Sequence, residues 1–329
     1  MELQTCGQVS PAECEFEMNA SDLSIVILTK NGGDLFADVL AGLFACDGIL
    51  EAEILVIDSG SSDRTIDYAM NQPQIRIHRI PAAEFGHGKT RNLGARMTTR
   101  PIILYLVQDA TPATPDFLTR LAMPLGDEGF AGVYGRQLPR SWTNKLERIF
   151  LNSTYPDARE VRACAAQRAL GIREIFFSNV CSAIRRDVWE RIPFDESLIM
   201  SEDQLWAKQV LLSGHRLLYE PGAAVFHSHN YGLRDVFRRN FDSGVSLVGI
   251  ADDTFAAMTI YEARHLVQCV RRLLHGPDLL WIPYLFAYEA TRATAFAVGQ
   301  RAHFLPRWIR RRLSLHKYHW ESDRTFVPR

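Results

Sequence analysis

From residue 23 onward the chain repeats one pattern: an apolar run, a polar turn, then a stretch with apolar residues at helical spacing. SIVILTKN (24–31) is rich in β-branched residues and predicts a first strand. Gly32 and Gly33 break it, and Leu35, Phe36, Val39, Leu40 and Leu43 follow at the spacing of a helix. AEILVIDSGSSD (52–63) reads as a second strand and its turn, with Ser62 placed to cap a helix from about Asp63. QIRIHRI (74–80) alternates as a third strand, and a helix is expected over 90–98. PIILYLVQD (101–109) is a fourth strand, DFLTRLAMPL (116–125) a helix and FAGVYGRQ (130–137) a fifth strand. Strands alternating with helices predict a parallel α/β sheet covered on both faces.

Residues 138–175 are less regular. FFSNVCSAI (176–184) returns to strand character, a helix is expected from near Ser201, and RLLYEPGAAVFHSH (216–229) reads as strand and loop. Beyond His229 the pattern is helical only. Three segments are therefore expected: an acidic tail over 1–22, an α/β domain over 23–230, and a helical extension over 231–329. The most apolar window, 279–298, contains Pro283, Glu289 and Arg292, so a packed or interfacial helix is expected there.

The chain has 329 residues, enough for one large core and an appended piece. Its net charge of −1 argues against a polyanion binder, so no nucleic-acid partner is expected. The ends differ in charge. Residues 1–22 hold five acidic groups and no Lys or Arg, whereas 301–329 hold eight basic and two acidic ones. The basic end suits an anionic surface such as a membrane, and Trp308 and Ile309 beside Arg310, Arg311 and Arg312 suit its interface. The six cysteines show no CxxC pair and read as reduced thiols, and the polar, acidic opening has no signal-peptide profile. Both features favour a cytoplasmic location.

The chemistry sits at strand ends. Ligands of open α/β sheets bind outside the carboxyl ends of the strands. This chain puts Thr29 and Asn31, Asp58 and Ser59, and Gln108 and Asp109 at three such ends. Asp109 closes a buried run, where a carboxylate is costly unless something pairs with it. SEDQ (201–204) has the spacing of a capping box, with Glu202 and Asp203 in a helix first turn where carboxylates are favoured. GHGKT (86–90) looks like the end of a phosphate-binding P-loop, but the required glycine five residues before Gly88 is Ala83.

The succession TKN, VIDSGSSDRT, FGHGKTRNLG, LVQDATP, FSNVCSAIRRDVW, SEDQLWAKQVLLSGH and YEPGAAVFHSHNYG resembles the inverting family-two glycosyltransferases, in particular their bacterial rhamnosyltransferase branch. The resemblance implies a GT-A fold, a Rossmann-like mixed sheet flanked by helices. It implies a dTDP-L-rhamnose donor and, as acceptor, a hydroxyl of a growing polysaccharide or of an oligosaccharide linked to a polyprenyl diphosphate at the inner membrane face. It puts Thr29, Asn31, Asp58, Ser59, Arg91 and Gln108 on the donor, with Arg91 stabilising the leaving diphosphate, and Asp109 on a Mg²⁺ or Mn²⁺ ion that bridges the diphosphate. His227 is the favoured second metal ligand, with His229 its alternative. Asp203 matches the family's base, and Glu202 beside it would orient the acceptor or a neighbouring group. Two alternatives stay open: a UDP-hexose or UDP-N-acetylhexosamine donor, and a non-catalytic nucleotide-sugar binder.

Overall fold

All seven residues of β1 (Leu23–Thr29) are buried, because the strand lies inside a sheet covered on both faces. The structure, a computed structural model, describes residues 20–164, 170–251, 255–274 and 276–320. Most of the acidic stretch expected over 1–22, Cys6 and Cys14, and the basic end from 321 lie outside them. The other strands are β2 (Glu53–Asp58), β3 (Ile75–Arg79), β4 (Ile102–Val107), β5 (Thr111–Pro112), β6 (Phe130–Leu138), β7 (Glu160–Arg162), β8 (Cys181–Arg185) and β9 (Arg216–Phe226). They form one sheet in the order β3-β2-β1-β4-β8-β6-β9-β5, with β7 paired to β9.

β3, β2, β1 and β4 are parallel, as the alternation predicts. β8 runs antiparallel to both β4 and β6, so the sheet is mixed, as the family resemblance implies and as the alternation of strands and helices by itself does not reveal. Two antiparallel steps restore the direction, so β6 and its parallel neighbour β9 point the same way as β4. The carboxyl ends of β1, β2, β4, β6 and β9 therefore share one edge. The stretch 176–184 supplies strand only from Cys181, while Phe177 packs edge-on against Tyr134.

Alternation along β1 divides the core. Ile25 and Ile27 join Phe36, Leu40 and Leu43 of α1 (Gly33–Phe44) on one face. Val26 and Leu28 join Ala95 and Trp206 on the other. Each such fully buried side chain stabilises the fold by about 1.5–3 kcal/mol. α2 (Thr65–Met70) begins two residues later than expected, and the Ser62 amide donates to Asn31 Oδ1 (2.8 Å) instead of Ser62 capping the helix. α3 (His87–Met97) starts three residues early. α4 (Phe117–Ala122) gives way to a 3₁₀ turn at Pro124, which cannot continue a helix.

α5 (Lys145–Thr154) and α6 (Arg186–Arg191) flank the sheet, and α7 (Glu202–Leu212) packs on its second face through Trp206. Beyond His229 the described residues are helical: α8 (Leu233–Leu247), α9 (Phe255–Leu273), α10 (Ile282–Gln300) and α11 (Arg307–Leu313), with short 3₁₀ turns. α8 and α10 cross so closely that a Cβ on Gly244 would come within 2.3 Å of the Phe296 carbonyl oxygen. The Asp242 carboxylate of α8 accepts from the amides of Leu315 (2.8 Å) and His316 (3.1 Å), which folds the chain after α11 back onto the α/β core. Among the described residues no helix is long and apolar enough to cross a membrane.

Candidate active site

The parallel pairing sets Thr29 opposite Asp58, and β4 lies on the other side of β1. The three polar strand ends therefore sit side by side. Asp58 is buried, and its carboxylate accepts from the amides of Gly60 (3.1 Å) and Ser61 (3.0 Å) and from Thr29 Oγ1 (3.3 Å). Ser59 is buried as well, its amide donating to the Thr29 carbonyl (2.9 Å). Asn31 stands exposed in the left-handed region at φ 51°, a conformation asparagine tolerates better than most residues. Gln108 bridges two strand ends through its amide, accepting from the Lys30 amide (2.7 Å) and donating to the Lys30 carbonyl (3.1 Å). These contacts make this part of the edge a rigid, pre-formed rim.

Asp109 lies past β4, and both histidines after β9 reach it. His227 Nε2 is 3.5 Å from Asp109 Oδ1, and His229 Nε2 is 3.5 Å from Asp109 Oδ2. The two Nε2 atoms are 3.0 Å apart. The sequence left a choice between the histidines; the structure brings both to Asp109. His227 Nδ1 faces Gln137 Oε1 (2.8 Å), and Gln137 is held in turn by donating to Ser178 Oγ (3.1 Å). The ring nitrogen facing the amide oxygen carries a proton, which fixes the ring's orientation and turns Nε2 toward Asp109. Burial alone would raise the Asp109 carboxyl, but the two histidines hold it down at about 2. Burial, and then His227, lower His229 to about 4, so that ring is neutral at pH 7. A carboxylate and two imidazoles, with ligand atoms within 4.8 Å of one another, fit a divalent cation. The imidazoles favour Mn²⁺ over Mg²⁺.

The second cluster lies at the start of α7. Ser201 is in the left-handed region at φ 64° and caps nothing with its side chain, so the expected capping box with Gln204 does not form. Asp203 does the local work instead, accepting from the amides of Asn179 (3.1 Å) and Gln204 (2.9 Å). A non-glycine residue held at positive φ costs about 1–3 kcal/mol and is characteristic of functional sites. Burial, and then the neighbouring Glu202, push Asp203 up to about 7, against the pull of Arg91 and the two amides.

Arg91 was expected on the donor, and Glu202 on the acceptor or a neighbouring group; the structure pairs the two with each other. Both are buried, and Arg91 Nη1 donates to Glu202 Oε1. Gly88 lets α3 approach, since a Cβ there would meet the Asp195 carbonyl oxygen at 2.3 Å. Asn92, next to Arg91, clamps the same region by accepting from Trp189 Nε1 (2.9 Å) and donating to the Phe194 carbonyl (2.8 Å). The KTRN motif thus builds the floor under α7.

Sequence reasoning missed Gln137, Arg239 and His316. Gln137 carried a usable signal, a polar residue ending a buried strand like the other three. Arg239 of α8 contacts Tyr231, and His316, after α11, meets His87; nothing local in the sequence marks either.

Known proteins share this architecture. Residues 24–192 match Glycosyl transferase family 2. The chain is 32% identical over 304 residues to the O-antigen chain rhamnosyltransferase RfbN of Salmonella typhimurium, covering 91% of this chain and 96% of that one. It is 30% identical over 275 residues to the O-antigen chain rhamnosyltransferase WbaN of Salmonella anatum, covering 82% and 87%. Among solved structures, the mannosyltransferase PcManGT of Pyrobaculum calidifontis, in complex with GDP-Man and Mn²⁺, superposes with a TM-score of 0.53 at 19% identity, over 87% of this chain and 76% of that one. S. aureus TarS 1-349 with UDP-GlcNAc superposes with a TM-score of 0.51 at 15% identity, over 87% and 91%. The relatives align almost end to end, the family match runs from β1 to α6, and the mixed sheet is that of the GT-A glycosyltransferases: this chain belongs to glycosyl transferase family 2.

Proposed function

We propose that the protein transfers L-rhamnose from dTDP-L-rhamnose to a saccharide hydroxyl, in a single displacement that inverts the anomeric centre. The sugar rests on the two O-antigen chain rhamnosyltransferases that align with most of this chain. The observation that carries the chemistry is Asp203, a carboxylate with a proton affinity raised to about 7 at the open edge of the sheet. A base works best when its pKa lies near the working pH. As the acceptor oxygen forms its bond to the anomeric carbon, Asp203 takes the hydroxyl proton. The bond from that carbon to the diphosphate oxygen breaks with its electron pair, and dTDP leaves.

Thr29, Asn31, Asp58 and Ser59 line the nucleoside end of this site, with Gln108 bracing the rim. Asp109, His227 and His229 would hold Mn²⁺ or Mg²⁺, whose charge, when bound, offsets that of the departing diphosphate. Glu202, paired with Arg91, fixes the start of α7 and so the direction of Asp203.

The acceptor is read as a lipid-linked saccharide met at the inner face of the cytoplasmic membrane. Phe304 and Trp308 are 77% and 67% exposed. An open pocket of about 720 Å³ is lined by Trp308 together with Arg307, Arg311, Arg312, Lys317 and Trp320. Apolar anchors beside clustered cations suit an anionic bilayer. Co-sedimentation with phosphatidylglycerol vesicles, lost in Arg311→Glu/Arg312→Glu, checks this; equal binding to phosphatidylcholine would refute it.

Incubation with dTDP-L-rhamnose, UDP-glucose or UDP-N-acetylglucosamine and a lipid-linked oligosaccharide tests the donor. Rhamnose transfer with an inverted anomeric proton signal is expected. Transfer from a UDP-sugar would keep the enzyme and change its donor, and no transfer from any would point to a nucleotide-sugar binder.

A further inference from the structure

The pairing of Arg91 with Glu202 leaves the diphosphate without the arginine that the sequence assigned to it. A departing diphosphate gains negative charge, and catalysis at such a centre rests on cations already in place. A different arginine stands one ring away from the candidate metal ligands. Arg239 of α8 is exposed. Its Nη1 donates to Tyr231 Oη (3.2 Å), and the Tyr231 ring stacks on His229 with centroids 4.8 Å apart at 21°. His229 in turn touches Asp109. One aromatic ring therefore separates the guanidinium from the candidate metal ligands.

The other flanks of Arg239 lead to the remaining parts of the site. Its charge is felt by His87 at the start of α3 and by His316, whose rings meet edge to face at 4.8 Å. On the same face of α8, Ser243 Oγ lies 3.5 Å from Met200 Sδ, and Ser246 Oγ accepts from the Met200 amide (3.2 Å). Met200 leads directly into Ser201, Glu202 and Asp203. On the third side stand Glu147 and Tyr288. Burial raises the Glu147 carboxyl and depresses His87 and His316 to about 3, so the two rings bring no competing charge at pH 7.

We propose that Arg239 is the cation that grips the donor's diphosphate and stabilises it as it leaves. The proposal rests on the reading of this cleft as a nucleotide-sugar site. A planar guanidinium fork matches two phosphate oxygens; where Arg91 pairs directly with the buried Glu202 carboxylate, the Arg239 guanidinium donates to the Tyr231 hydroxyl, with the Glu147 carboxylate felt as a charge nearby. The close α8–α10 crossing holds the helix, and Asp242, one turn beyond Arg239, ties down the segment that brings His316.

Titration calorimetry with dTDP and with dTMP, in fixed Mn²⁺, tests this on wild type, Arg239→Gln and Arg239→Lys. The glutamine variant keeps a polar helix former at the site, and its melting curve reports folding. Arg239→Gln is expected to lose at least about tenfold in dTDP affinity and to bind dTMP within about twofold of wild type, since a hydrogen bond to a charged group is what is removed. Its kcat should fall by about 10²–10³, with the acceptor KM unchanged. Arg239→Lys should fall between the two. Unchanged dTDP binding in Arg239→Gln, or equal loss of dTDP and dTMP, overturns the proposal while leaving the site intact. A wild-type protein that does not prefer dTDP over dTMP overturns the nucleotide-sugar reading, and this proposal with it.

Discussion

Asp109 and Asp203 are both aspartates at the same open edge of one sheet, and their surroundings drive them apart. Asp109 has two imidazoles against it and is held at about 2, a permanent anion made to meet a cation. Asp203 has a buried glutamate as its neighbour and is raised to about 7, a group that can take up and release a proton. One residue type thus serves as ligand at one place and as base at another, because neighbours and burial set the charge state. The supports differ in kind too. The Asp109 cluster is fixed through side chains, Gln137 to His227. Asp203 is fixed through backbone amides and a strained helix start.

The largest expected effect comes from removing the base. Asp203→Asn should lower kcat by about 10²–10⁴ with dTDP affinity retained, as measured by transfer rate and titration calorimetry. Asp109→Ala comes next: the Mn²⁺-dependent part of nucleotide binding should vanish, read as the loss of the metal-induced shift in melting temperature. Third is the pH profile. The base acts as its carboxylate, so kcat/KM should rise about tenfold per pH unit below pH 7 and level off above it. Glu202→Gln should move that rise to lower pH. It removes the negative neighbour and leaves the Arg91 cation unpaired, and both changes favour the Asp203 carboxylate. The same variant should cost about 3–5 kcal/mol of stability in urea unfolding, because a buried charge loses its partner. The smallest effect is at Gln137. Gln137→Ala frees the His227 tautomer and should weaken Mn²⁺ binding by about 10–100-fold with the pH profile unmoved.

Much of this was legible along the chain because it is local. Apolar runs and glycine breaks locate the strands, and polar residues at their ends mark Thr29, Asp58 and Asp109. The direction of β8 was not legible, since an apolar strand reads the same in either orientation and only its neighbours decide. The spacing S-x-x-Q misled at Ser201, where tertiary packing holds the backbone at positive φ and turns the side chain away from the helix. Arg91 read as a phosphate ligand because its partner Glu202 lies 111 residues away, and pairing at that range leaves no trace in spacing. Arg239 and His316 were invisible for the same reason.

The contrast between the two aspartates is tested most directly by thermal stabilisation with dTDP, in the presence and absence of Mn²⁺, on wild type, Asp109→Ala and Asp203→Asn. A ligand that binds only the native state raises its melting temperature by mass action. The account predicts a Mn²⁺-dependent shift in wild type and in Asp203→Asn, and loss of the Mn²⁺ dependence in Asp109→Ala alone. An unchanged Mn²⁺ response in Asp109→Ala, or its loss in Asp203→Asn, would contradict the division of roles.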